Sequence, residues 1–300
     1  MALRPGANEI PKGALCAAVG FSLFALGDSV FKYLGPWYPI TVTGFWSSLF
    51  SLAGLLVFAA LTGGVTQALR TRHLKLHLLR GFLSLFQFLL SIYTFTHLPL
   101  TKAYALIFIA PFLTTLLSIP LLKEKAGWRE WAAIAGGFAG VLTILRPGMV
   151  PVDVASAAAL GAALLFSAIN IISRLIGRDG ESIVSFGLYV EFVIIPALLA
   201  LLVLGGFAVP APAHLGLLAL AGLLGATGLV CVAAAFTRVP AAVAAPFHYI
   251  QMLWAIGLGY AVFGDRLDIW TAGGATLIIG SGLWLIRAER DKAELPGAPV

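Results

Sequence analysis

Long apolar runs and short polar breaks alternate along the chain, and the runs number ten, at about 13–34, 40–61, 76–97, 101–122, 128–145, 152–173, 183–204, 215–236, 241–263 and 269–286. Each is close to the ~20 helical residues needed to cross a hydrocarbon core of ~30 Å. Membrane strands would instead alternate apolar and polar positions over ~10 residues, whereas these runs are continuous and rich in Leu and Ala. The pattern therefore predicts an all-α integral membrane protein of ten transmembrane helices.

The polar positions that punctuate the runs repeat. Phe24, Asp28, Lys32 and Gly35 recur as Phe166, Asn170, Arg174 and Gly177, displaced by 142 residues, and Pro99, Ala103, Glu124 and Lys125 recur as Pro240, Ala244, Asp265 and Arg266, displaced by 141. Eight matches in order at equivalent points of two five-helix units indicate a duplication. A unit that crosses a bilayer an odd number of times reappears upside down, so the two repeats are inverted. The expected organisation is a tail over 1–12, a first five-helix repeat over 13–147, a second over 152–287 and a tail over 288–300.

Charge fixes the expected orientation. With the amino terminus inside, fifteen of the nineteen Lys and Arg residues fall on the cytoplasmic side, and Lys32, Lys102, Arg146 and Arg266 fall outside. Both termini are expected in the cytoplasm, with matched residues such as Lys32 and Arg174 on opposite faces. The net charge of +6 reflects this sidedness and contact with anionic headgroups rather than nucleic-acid binding. The basic stretch from Arg70 to Arg80, with His73 and His77, is expected to lie on the surface between helices 2 and 3, with a lipid-specific or regulatory role as an alternative. Cys16 and Cys231 lie within spans and are expected to be packing residues rather than halves of a disulfide. The first apolar run is too long for a signal peptide and is expected to remain as helix 1.

With 60% hydrophobic and 11% charged residues in a chain of 300, ten spans leave no room for a soluble catalytic domain. The sequence offers no nucleophile and base pair, no spaced set of metal ligands and no phosphate loop, so neither an enzyme, a cofactor nor a metal site is expected.

A carrier needs polar groups at bilayer depth. Glu191 lies near the middle of helix 7, where it is either a proton-accepting or amine-binding site or a structural hydrogen bond. Asp28 and Lys32 stand one helical turn apart, as a structural ion pair or as a clamp for a zwitterion, with Asn170 and Arg174 as the counterpart. Ser84, Gln87, Ser91 and Thr94 share one face of helix 3, and Tyr104, Phe108, Pro111, Thr115 and Ser118 one face of helix 4, as opposed cavity walls or as interhelical hydrogen bonds. On helix 9, His248, Tyr249 and Gln251 follow Pro246 and either line the cavity or pack around a kink. Trp46 and Tyr104 are the aromatics best placed to stack on a flat solute, ahead of Tyr93 and Trp254. Gly136, Gly140, Gly222, Gly225 and Gly228 are expected to admit close helix contact.

The stretch from Leu98 to Gly140 carries a Pro after helix 3, an Ala-rich entry to helix 4, Pro111 within it, Glu124 after it and a Gly-rich helix 5, and the pattern returns from Val239 to Gly282. It resembles the EamA family of the drug/metabolite transporter superfamily, over about the whole chain, with Asp265 where that family more often has Glu. Within the family the chain looks most like the YddG-type exporters of aromatic and other amino acids. The resemblance implies a bacterial inner-membrane carrier that exports small metabolites by alternating access without ATP. The leading expectation is amino-acid export, possible proton coupling included; the alternatives are another solute (a sugar, nucleotide conjugate or drug) or a passive channel. Oligomeric state is left open.

Overall fold

The structure is a computed structural model that describes residues 9–122, 127–146, 153–177, 181–206, 208–238 and 245–293. Among these residues every regular element is helical: α1 (Glu9–Leu34), α2 (Ile40–Thr62), the short α3 (Val65–Ala68), α4 (Leu74–His97), α5 (Leu100–Ile107), α6 (Ala110–Leu122), α7 (Trp128–Leu145), α8 (Val154–Gly177), α9 (Ile183–Gly205), α10 (Pro212–Arg238), a 3-10 turn (Ala245–Tyr249), α11 (Ile250–Phe263) and α12 (Ile269–Ala293). Seven segments are long and apolar enough to cross a membrane on that basis alone, α5 and α6 together forming one of them. With α7, the 3-10 turn plus α11, and α12, the bundle has ten crossings in two repeats.

The surface explains why so apolar a chain folds. Leu142, Val203 and Leu253 are each more than half exposed on helix faces that in water would be a liability. Such faces are satisfied by lipid, and the drive to assemble comes instead from close packing inside the bundle. At the contact of α7 with α12, a methyl group on Gly140 would strike the Gly274 carbonyl oxygen at 2.7 Å, so the two backbones touch where glycine allows it. Gly222 meets the α2 backbone at Ser47 and Ser51 in the same way, whereas Gly225 faces open space.

Helix packing follows the duplication. α1 packs on α10 as α8 packs on α4; α10 packs on α2 as α4 packs on α9; α11 packs on α1 as α6 packs on α8. The second crossings of the two repeats, α2 and α9, pack on each other, and so do the fifth, α7 and α12. Exchanging each crossing with its partner five places on interchanges these contacts, the mark of a pseudo-two-fold axis through the bundle.

The fourth and ninth crossings depart from the continuous helices expected over 101–122 and 241–263. α5 ends at Ile107, Phe108 and Ile109 form a turn, and α6 restarts at Ala110. Pro111 is the cause: it cannot donate to the Ile107 carbonyl, but fits the first turn of a new helix, whose amides have no intrahelical partner. In the ninth crossing the chain is 3-10 helix through Tyr249 and α-helix from Ile250. Tyr249 stands 141 residues after Phe108, the displacement of the repeat, so both breaks fall at one equivalent point. Pro240, Ala244, Glu124 and Lys125, four of the repeat markers, lie outside the described residues.

The basic stretch also differs from expectation. His77 and Arg80 belong to α4 and are buried, at 0% and 6% exposure. They are held there by the second repeat, as described below.

Candidate functional site at the helix breaks

The two breaks meet. The Phe108 and Tyr249 rings stand edge to face with centroids 5.2 Å apart, so repeat-related residues touch on the pseudo-two-fold axis. His248, one residue before Tyr249, stacks on Phe21 of α1 at 4.8 Å, meets Phe108 edge-on at 5.0 Å and lies 6.5 Å from Phe166 of α8. Gln251 supplies a side-chain hydrogen bond to His248. Side chains from four crossings thus surround one aromatic box, and irregular backbone at this depth is tolerated where it is buried in protein or borders a polar chamber.

An acid adjoins the box. Asp28 lies two turns beyond Phe21 on the same face of α1, and Tyr104 of α5 donates its hydroxyl to Asp28 Oδ2 at 2.6 Å. Tyr104 is itself 2% exposed and packs between Phe95 and Phe108, with centroids at 5.2 and 6.0 Å. Asp28, His248 and Tyr249 keep partly accessible surfaces. Phe21 and Phe108 are buried at 7% and 0% exposure and form the packed backing of the box, so a flat cargo would meet the partly accessible His248, Tyr249 and Phe166 rings, and a cationic or hydroxyl-bearing cargo the Asp28 carboxyl group. Among the described residues, no group of three His, Cys, Asp or Glu side chains is placed to hold a metal.

Of the residues singled out from sequence, Asp28, Tyr104, His248, Tyr249 and Gln251 come together here. Asn170 lies half-buried on α8, four residues after Phe166. Gln87 and Ser91 bond to each other along α4, Nε2 to Oγ at 2.9 Å. Trp46 stands elsewhere, its indole N–H donating to the Ala208 carbonyl at 3.2 Å ahead of α10. Glu191 is also separate, buried between α9 and α2 with Ser48 and Ser51 bonded to its carboxyl group. Sequence reading left Phe21 out of the site and treated Phe166 as a repeat marker only, whereas it placed Phe108 on the helix-4 face expected as a cavity wall.

The expected pairing of Asp28 with Lys32 is not formed. Lys32 Nζ instead reaches Asp265 Oδ2 at 3.0 Å, donates to the Leu98 carbonyl at 2.8 Å and lies over the Phe263 ring at 5.1 Å. Asp265 also accepts from the Leu100 amide at 3.2 Å. A carboxylate, a backbone carbonyl and a ring face outcompete an acid one turn away, and the result ties α1 and the α4–α5 junction to the second repeat at the end of the bundle opposite the termini.

The end carrying the termini is tied as well. Glu181, just before α9, accepts from Thr71 Oγ1 at 2.6 Å, from the Arg72 amide at 3.2 Å and pairs with His77 Nε2 at 2.6 Å. Arg80 donates to Ser173 Oγ at 3.0 Å and to the Phe186 carbonyl at 2.7 Å. Burial raises the Glu181 pKa, but these hydrogen bonds outweigh it and hold the carboxyl group below its ordinary value.

Two inverted repeats, breaks at equivalent depth and ties between the repeats at both ends describe a carrier, and comparison with known proteins supplies the family. The model of the EamA-like transporter family matches residues 11–146 and again 154–287. The chain belongs to that family. Among curated relatives, the S-adenosylmethionine uptake transporter of Rickettsia prowazekii is 29% identical over 89% of both chains. The riboflavin transporter of Rhizobium johnstonii is 29% identical over 95% of this chain and 96% of its own, and that of Vibrio cholerae 28% identical over 94% and 95%. A solved crystal structure shares the fold, with a TM-score of 0.65 at 15% identity, over 94% of this chain and 99% of that one. As an EamA-like protein this is a multi-pass membrane transporter of small molecules and not an enzyme. These relatives are named for S-adenosylmethionine and riboflavin and not, as the finer expectation had it, for aromatic amino acids.

Proposed function

We propose that the chain is a secondary carrier for a metabolite that joins a flat heteroaromatic ring to a polar or cationic group, moved by alternating access through the bacterial inner membrane. One observation carries this reading: the box of Phe21, Phe108, Phe166 and His248 rings lies beside the Asp28–Tyr104 pair. Riboflavin and S-adenosylmethionine, the cargoes in the relatives' names, share a fused heteroaromatic ring. S-adenosylmethionine adds an amino-acid moiety and a sulfonium cation. Amino-acid transport, the narrower expectation, survives in this reading for aromatic amino acids, whose ring and ammonium group suit the same two features.

Purified protein in liposomes tests it by counterflow of labelled S-adenosylmethionine, riboflavin, tryptophan and a hexose. Saturable exchange of at least one ring-bearing probe is expected, weakened about tenfold by His248→Ala, the size of one lost aromatic contact. Saturable exchange of the hexose alone, or unsaturable ion current, would overturn the proposal.

A further inference from the structure

Glu191 is a buried acid that the cargo site does not use. α9 turns Val184, Gly187, Leu188, Ile194, Leu198 and Leu202 inward at spacings of three and four, and Glu191 occupies the same seam at 8% exposure. The seam faces α2: Gly187 lies against Leu55, and Leu198 against Gly44. Ser48 and Ser51 of α2 bond to the Glu191 carboxyl group, while its Oε2 is buried without a hydrogen-bond partner. α2 and α9 are the second crossings of the two repeats, so the acid sits where the repeats meet and where rocking of one against the other changes its surroundings.

A structural hydrogen bond to two serines needs no ionisable group, and a permanent charge in this aliphatic seam would be costly without a cation. Among the described residues no cation is paired with it. α2 carries no titratable side chain along Ile40–Thr62, nor does α3 along Val65–Ala68. On α4, His77 is engaged by Glu181 and Tyr189, and Arg80 by Ser173 and Phe186, all nearer the end that carries the termini. On α10, His214 bonds to Tyr38 and Cys231 lies near Cys16 of α1.

We propose that Glu191 is a proton-binding site on the inter-repeat seam, taking a proton from water on one side of the membrane and releasing it on the other as the repeats rock, and so coupling a proton gradient to transport. The proposal rests on the carrier reading and assigns that carrier its driving ion.

Two measurements test it. Infrared pH titration of the intact protein in lipid needs no cargo: a titrating protonated-carboxyl band is expected that Glu191→Gln lacks and whose midpoint Ser48→Ala shifts. An identical titration in Glu191→Gln would overturn the proposal. In liposomes under an imposed pH gradient, labelled S-adenosylmethionine or riboflavin is expected to accumulate with wild type and with Glu191→Asp, and merely to equilibrate with Glu191→Gln. Undiminished accumulation in Glu191→Gln would overturn it too. If wild type moves neither these probes nor tryptophan, the cargo reading fails, and the infrared titration still decides the proton site; if Glu191→Gln does not fold, an unshifted band in Ser48→Ala and Ser51→Ala counts against it.

Discussion

Asp28 shows how a single acid is governed by what surrounds it. Its Tyr104 partner satisfies the carboxyl group within a bundle that offers little water. Removing the hydroxyl with Tyr104→Phe should cost about 1–3 kcal/mol of stability, read as a lower unfolding temperature in detergent. Asp28→Asn should weaken binding of a cationic adenosyl probe about tenfold or more and that of a neutral flavin far less, a difference measurable by equilibrium binding to purified protein. Glu181, outside the spans, gives a pH prediction. Its carboxyl group is held below its ordinary 4.5, so its contribution to stability is present above that pH and is lost as pH falls through the depressed value. Wild type should lose thermal stability steadily on acidification below about 4.5, and Glu181→Gln should show a flatter profile from a lower starting point. That Asp28 needs a polar partner was legible from its depth in an apolar run. Its partner was not, because one-turn spacing treats a helix as isolated while Lys32 found Asp265 across the bundle.

Among the elements, the two interrupted crossings do the positioning. Pro111 and Pro246 stand at different points of their repeats, yet the breaks coincide at Phe108 and Tyr249 because the second repeat uses a 3-10 turn to reach the same place. This brings ring-bearing residues of both repeats into contact on the axis, where continuous helices would have spread them along two separate faces. The helix ends also carry the ties between repeats. Lys32 and Asp265 have side chains only 13% and 15% exposed, so neutralising one leaves the other poorly solvated. Lys32→Met or Asp265→Asn alone should each cost about 3 kcal/mol, and the double variant less than the sum. Chemical denaturation in detergent checks the cycle, and strict additivity would show that the pair contributes no coupling.

For the molecule as a whole, the pseudo-two-fold axis relates the folds of the two repeats but not their chemistry. Asp28 and Asn170, or Phe108 and Tyr249, occupy equivalent positions with different side chains, so an inverted duplication builds an asymmetric cluster around the axis. Orientation is a property at this scale, and the Lys and Arg bias supports cytoplasmic termini. In a variant with Cys16 and Cys231 replaced, cysteines introduced at positions 3 and 297 should both react with a membrane-impermeant maleimide only after the inner face is exposed. Labelling of either in intact cells would refute that orientation.

The amino-acid sequence by itself determined the solvent and the scaffold: ten apolar runs of bilayer length require helices in lipid, and residues recurring at 141 and 142 positions require two inverted copies. These are properties of chain length, hydrophobicity and order, which act locally. Tertiary structure alone decided the partners: that Asp28 meets Tyr104, that Lys32 crosses to Asp265, that Glu181 gathers Thr71 and His77, and that Trp46 lies away from the ring box. The reason is physical. In lipid the apolar faces look alike to one another, so which polar group meets which is set by close helix packing at small residues and by backbone breaks, and neither is written in any single run.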